Sequence, residues 1–366
     1  MAVRFALNEH MGKEFLEYTE GKEFRFVLCI AYTDTAEIDG ITVAGADKES
    51  IKYTPPADAE FLHYGKCRCI DTVPATPDGK PTPALITRTA LRLAGIPIFI
   101  VDAGSKVKPR VRHYSLAVKH GRNIIYGNAL DKEEVIESFN SSIELGQILA
   151  RSTDCLVIGE SIPAGTTTAL AVMLSLGIDA RFKVSSSMPK NPHDIKLNTV
   201  YKGMSSAGIG IGSLRDRPLE AIACIGDPMI PSVAGMTIGA LKYGSRVLLA
   251  GGTQMAAILA VIKYLGNKTD GLAIATTSYV MNDSSADMRA LVHSIDASVP
   301  LLYYDPLLHR SSKSGLRAYA EGFVKEGVGA GGACIAASAK SMHSISQEDI
   351  LAAVEDEYER TIERIK

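Results

Sequence analysis

Residues 154–176 read DCLVIGESIPAGTTTALAVMLSL, and the fold is decided here. Leu156, Val157 and Ile158 form a short apolar run suited to a buried strand, and Gly159 closes it. Pro163 and Gly165 enforce a loop, because proline fixes φ and glycine tolerates the dihedrals of a tight turn. Three threonines follow, then an apolar helix-forming run over 169–176. The pattern is strand, Gly/Thr-rich loop, helix. Backbone N–H groups and hydroxyls at a helix start suit a phosphate. An ordinary strand-to-helix connection capped by threonine would read the same way. A Walker loop is excluded, since no Lys follows Gly165 and the glycine spacing differs. Glu160 stands alone, without the second carboxylate that a metal-and-ribose loop requires.

Outward from this unit, apolar runs alternate with helical patterns. Strands are expected at 24–30, 97–101, 221–226, 246–250, 271–276 and 299–304, and helices at 84–94, 131–149, 233–243, 254–264 and 316–324. The strands are apolar throughout, not at every second residue, which indicates a parallel sheet covered on both faces. The expected fold is a three-layer α/β/α domain with a mostly parallel, Rossmann-like sheet over 24–340. A smaller helical subdomain is expected from 1–23 and 341–366. Two helices are marked by their ends. Asp131 reads as an N-cap with Glu134 three residues on, and Ser346 as an N-cap with Asp349 at N3. Leu351, Val354, Tyr358, Ile362 and Ile365 then recur at helical spacing.

The 366 residues suffice for a large core, and 39 basic against 41 acidic residues give no electrostatic case for nucleic acid. No run is long and apolar enough for a membrane span, and the N-terminus lacks signal-peptide architecture, so a cytoplasmic protein is expected. Six scattered cysteines, three of them (Cys29, Cys155, Cys224) expected in strands, suit reduced thiols. Cys67 and Cys69 near His63 suggest half a metal site, but no second cluster completes it, and no metal or cofactor is expected.

Several polar segments are candidates for a site. Residues 32–47 are polar and contain glycine. Residues 51–83 read as a long Pro-, Asp- and Lys-rich excursion, and long loops tend to be functional or disordered. Asp102 ends a strand where α/β enzymes place ligands, though a cap or a lysine pair would use it equally. Lys190, His193 and Lys196 read as a solvated, proline-broken stretch with His193 in a turn. Gly327, Gly329 and Gly332 stand at G-x-G-x-x-G spacing, but a helix is expected before them where a dinucleotide fingerprint follows a strand. Glu326 directly precedes these glycines, which let a ligand approach the backbone closely.

Taken in order, TPALITRTAL (82–91), VDAG (101–104), GNALDKEEV (127–135), GESIPAGTTTA (159–169), GGTQMAAILA (251–260) and KEGVGAGGA (325–333) resemble the nicotinate-nucleotide–dimethylbenzimidazole phosphoribosyltransferase family in its archaeal-type branch. The resemblance spans most of the chain and rests on motif order and spacing. It implies phosphoribosyl transfer from nicotinate mononucleotide to a benzimidazole-type base, giving the α-ribazole phosphate of the cobamide lower ligand. Glu326 maps to the catalytic glutamate. Glu160, Gly165, Thr166, Thr167, Lys196, Gly251, Gly252, Gly327 and Gly329 map to nucleotide and phosphate contacts. Asp34, Thr82, Pro83, Thr87 and Thr89 map to the base site. Thr89 and Ala90 stand where the bacterial enzymes carry glutamine and methionine, and residues 161–164 replace a Met-Gly-Ile-Gly run. The accepted base is thereby left open. The resemblance also implies a homodimer. Two other readings stay open: a non-catalytic nucleotide- or base-binding homologue, and an NAD-dependent oxidoreductase using the glycines after Glu326.

Overall fold

The computed structural model describes residues 2–364. The strands are β1 (Val3–Leu7), β2 (Phe24–Ile30), β3 (Ile98–Asp102), β4 (Tyr114–Ser115), β5 (Cys155–Ser161), β6 (Arg246–Ala250), β7 (Leu272–Thr277) and β8 (Leu301–Tyr304). They form one eight-stranded sheet in the order β1-β8-β7-β6-β5-β2-β3-β4. Only β1 runs antiparallel, against β8. From β2 the chain builds outward to β3 and β4 on one side. It then returns to β5 and builds outward to β8 on the other. The reversal lies between β2 and β5, which are paired in register with Ile30 opposite Ser161. In open α/β sheets such a switch point opens a crevice at the carboxyl ends of the strands.

The helices in chain order are α1 (Glu9–Thr19), α2 (Thr54–Tyr64), α3 (Ala84–Leu93), α4 (Lys132–Ala150), α5 (Gly165–Ser175), α6 (His193–Ser206), α7 (Pro218–Ile225) and α8 (Met229–Tyr243). They continue as α9 (Gln254–Tyr264), α10 (Ser278–Met281), α11 (Met288–Asp296), α12 (Ser314–Arg317), α13 (Ala330–Lys340) and α14 (Gln347–Tyr358). Alternate strand residues point into two separate cores. Val27, Leu156, Ile158, Val247 and Ile274 meet the layer of α4, α5, α8 and α9. Phe26, Leu28, Val157, Leu248 and Ala273 meet the layer of α3, α13 and α14. Every residue of β5 is buried, as the continuous apolar run requires of a central strand.

Several expectations are corrected. Residues 221–226 are not a strand but the end of helix α7, with Pro218 in its first turn, so Cys224 is helical. Proline is tolerated there because that N–H has no partner within a helix. The expected helix over 316–324 shrinks to the single turn of α12, and the chain then runs irregularly to α13. The excursion after residue 51 contains a real helix, α2, with Pro55 and Pro56 in its first turn. The N-terminal segment, expected to be helical and apart from the sheet, supplies the antiparallel edge strand as well as α1. Asp131 is the N-cap of α4 but makes no side-chain cap, because its carboxylate turns to Arg122 at 3.0 Å. Ser346 and Asp349 form the expected capping box on α14. Ile365 of the C-terminal stripe lies outside the described residues. All six cysteines are free. No helix among the described residues is long and apolar enough to cross a membrane.

Candidate active site

At the carboxyl ends of β5 and β6 lies a cavity of about 950 Å³, counting its open mouth. β5 ends in Glu160 and Ser161, and the chain turns through Pro163 and Ala164 into α5. The left-handed conformation falls on Ala164, φ 62°, and not on the glycine that follows. A non-glycine residue held there costs of order 1–3 kcal/mol, a strain that clusters at ligand sites. The helix starts at once, so Gly165 and Thr166 occupy its first turn and face the cavity. Thr167 and Thr168 turn inward, and the Thr168 hydroxyl donates to buried Asp227 and to the Gly165 carbonyl. Opposite them, Gly252 and Gln254 enter from the start of α9, and Ser185, Ser186 and Ser187 form a strip of lining.

Glu326 enters from the loop before α13. Val324, Lys325 and Val328 all have φ between 54° and 60°, so the loop is wound through left-handed conformations that bulky side chains avoid. It is pinned on several sides. Val328 donates its N–H to the Glu160 carbonyl at 2.9 Å, and the Thr277 hydroxyl bonds the Lys325 carbonyl at 2.6 Å. The Thr87 hydroxyl bonds the Val328 carbonyl at 2.9 Å. The buried Lys325 ammonium pairs with Asp283 at 2.9 Å. The Glu326 carboxylate accepts the N–H groups of Gly327 at 3.1 Å and Gly331 at 3.3 Å. Burial pushes its pKa up to about 7, and those N–H bonds partly oppose the rise.

Glu160 is 3 % exposed and receives the Ile162 N–H at 3.1 Å and the Gln254 amide at 3.3 Å. Burial, then the charges of Glu326 and Asp227, push it up to about 8, so it is largely neutral at pH 7. Like charges sharing a low-dielectric site behave in this way.

Thus Glu326, Glu160, Gly165, Thr166, Gly252, Gly327, Thr82 and Pro83 converge on one cavity. Thr167, Gly251, Gly329, Thr87, Thr89 and Asp34 lie outside its lining. Asp34 pairs instead with Lys106 at 2.7 Å, and the buried Thr89 hydroxyl has no hydrogen-bond partner among the described residues. Lys196, read as solvated from its surroundings and as a phosphate contact from the resemblance, is fully buried within α6 and is not on the cavity wall. Its ammonium bonds the Ser185 carbonyl and Asn191 beneath the serine strip. Burial and the neighbouring Lys325 pull it down to about 7. His193 begins α6 and contacts the Ser285 carbonyl at 2.8 Å. Asp102 takes the lysine pair, with Lys108 at 2.6 Å.

The cavity also has lining that the sequence did not suggest: Asp58, Lys325, Gln254 and the serines at 185–187. The polar segment 32–47 contributes only residues 41–45. Among the described residues, no group of three or more His, Cys, Asp or Glu is placed to hold a metal. Of the glycines after Glu326, Gly331 and Gly332 serve packing. A methyl on Gly332 would overlap Ala250, and one on Gly331 would overlap the backbone at Thr276.

A family model described as phosphoribosyltransferase matches residues 86–280, more than half of the chain. Among curated relatives, a UPF0284 protein of Archaeoglobus fulgidus is 46% identical over 99% of this chain and 100% of its own length. One from Methanothermobacter thermautotrophicus is 41% identical over 93% of this chain and 94% of its own. Among solved structures, nicotinate-nucleotide-dimethylbenzimidazole phosphoribosyltransferase from Thermus thermophilus superposes with TM-score 0.60 at 15% identity, covering 95% of both chains. A structure of CobT from the same organism gives TM-score 0.59 at 15% identity, over 97% of this chain and 92% of its own. These two share the fold.

Proposed function

The chain belongs to the phosphoribosyltransferase family, and from that premise we propose that it transfers phosphoribose from nicotinate mononucleotide to a benzimidazole-type base, in the making of a cobamide lower ligand. One observation carries this reading: the carboxylate of Glu326 and the helix start at Gly165 and Thr166 face the same cavity.

The chemistry asks little of the protein. In the donor, the ring nitrogen bonded to the sugar is cationic, so nicotinate leaves with the bond's electron pair and no acid is needed. The sugar carbon takes on oxocarbenium character, as in glycoside cleavage. A ring nitrogen of the incoming base gives its lone pair to that carbon, and the proton on the base's other ring nitrogen must go elsewhere. Glu326 takes that proton, and its raised pKa matches a base working near neutral pH. The 5′-phosphate is held by the N–H groups at the start of α5, the Thr166 hydroxyl and the serine strip, under which Lys196 lies. Glu160, neutral, is free to donate to a sugar hydroxyl.

The test is release of nicotinate from nicotinate mononucleotide in the presence of a panel of bases, with the riboside product identified by mass. Turnover with at least one base is expected. Tight binding of nucleotide and base with no release under any condition would make the protein a binding homologue and overturn the proposal.

A further inference from the structure

Asp58 on α2 faces the same cavity and has no part in the transfer chemistry. It is 2 % exposed. The Thr82 hydroxyl donates to one carboxylate oxygen at 2.7 Å, and the Ser161 hydroxyl donates to the other at 2.7 Å. Among the described residues these two hydroxyls are its hydrogen-bond partners and no cation pairs with it. Each carboxylate oxygen has a second lone-pair direction, so acceptor capacity remains after both bonds are made.

The two lysines of the cavity wall are paired elsewhere, Lys80 with Asp78 at 2.5 Å and Lys325 with Asp283 at 2.9 Å. Pro74, Pro81 and Pro83 line this region and have no N–H. The Pro81 carbonyl is taken by the Tyr319 hydroxyl at 2.7 Å, and the Pro74 carbonyl by the Thr82 N–H at 2.9 Å. Ile41 and Val43 complete an apolar wall. The result is a wall rich in proline and aliphatic side chains, with acceptors at Asp58 and the hydroxyl protons of Thr82 and Ser161 already spent. Burial pushes Asp58 up to about 7, and the two hydroxyl donors oppose the rise, so a further donor from a ligand would stabilise its ionised form.

We propose that Asp58 reads the acceptor base, selecting a bicyclic base with an amino or hydroxyl donor on its ring edge over one carrying methyl groups there. This rests on the transfer reading above and names its substrate class. A methylated edge would leave the carboxylate dry with unmet lone pairs, whereas a donor edge would satisfy them. Sites built to bond a polar group reject analogues lacking it far more strongly than apolar pockets reject an added methyl.

The experiment compares adenine, a hydroxybenzimidazole and dimethylbenzimidazole as acceptors, in the parent protein and in Asp58→Asn, by nicotinate release and by calorimetric binding of each base. In the parent, kcat/KM is expected to favour the donor-bearing bases by about 10- to 100-fold, the usual effect of one hydrogen bond to a charged group. In Asp58→Asn that preference should shrink by about tenfold or more through KM for the base, with KM for the nucleotide unchanged. Equal use of all three bases by the parent would overturn the proposal without any variant. So would an Asp58→Asn effect on nucleotide KM alone, which would place Asp58 at the sugar. If no base releases nicotinate, the transfer reading falls, and the binding preference still decides Asp58: tighter binding of donor-bearing bases to the parent upholds it, and equal binding refutes it.

Discussion

At Glu326 two effects oppose each other. Burial raises the carboxyl, and the N–H groups of Gly327 and Gly331 lower it, leaving it at about 7. A proton acceptor must be ionised, so turnover should fall as pH drops through about 7. Glu326→Gln keeps the shape and removes the acceptor. It should cut kcat by about 10²–10⁴ while nucleotide affinity holds, measured by nicotinate release and calorimetry. Full turnover in that variant would remove Glu326 from the mechanism. The acidic residue before a glycine cluster was legible in the sequence as a candidate. Asp58 was not, because it lies in a stretch read as loop. Its meaning comes from Thr82 and Ser161, which are 24 and 103 residues away along the chain. Lys196 shows the converse. A lysine in a Pro-broken polar stretch reads as solvated, and only the packing of α6 under the serine strip buries it.

Among the elements, α13 decides where Glu326 sits. The helix lies so close to β6 and β7 that Gly331 and Gly332 cannot carry side chains without displacement. Of the G-x-G-x-x-G glycines, Gly329 and Gly332 pack against β5 and β6 while Gly327 holds a positive φ beside Pro83, so the motif by itself misleads. Gly332→Ala should push the helix away from Ala250 and cost about 1–3 kcal/mol, as overpacking of a tight contact does. Urea denaturation would measure this. Because the Glu326 loop leads directly into α13, kcat should fall with it, and unchanged stability and turnover together would contradict the close contact. The missed elements have local causes. Helix α7 is eight residues long and ends in the apolar run 221–225, a length at which strand and buried helix share one pattern, and only Pro218 signalled its start. Helix α12 stops after one turn because the chain must bend to bring Val324 under Ser187, whose carbonyl its N–H meets at 2.8 Å.

Across the whole molecule, three buried carboxyls, Glu160, Asp58 and Asp227, gather with the half-buried Glu326 near the carboxyl ends of the central strands, held at about 8, 7, 6 and 7. Each keeps its proton in the fold at pH values where the unfolded chain has lost it. Native protein therefore binds more protons there, and stability falls as pH rises through that window. Removing one such group should relieve the fall. The melting temperature of Glu160→Gln relative to the parent should rise between about pH 5 and pH 8, and a constant difference by calorimetry would count against a neutral, buried Glu160. The sequence alone determined the α/β class, the central strand and its threonine turn, and the capped C-terminal helix, because apolar periodicity and end-capping are local. It also pointed to Glu326 and Glu160. The tertiary structure alone decided that β1 closes the sheet edge, that Thr167 and Lys196 face inward, and that Asp58 joins the cavity. Those outcomes depend on which surfaces meet across long stretches of chain, and no local pattern encodes the meeting.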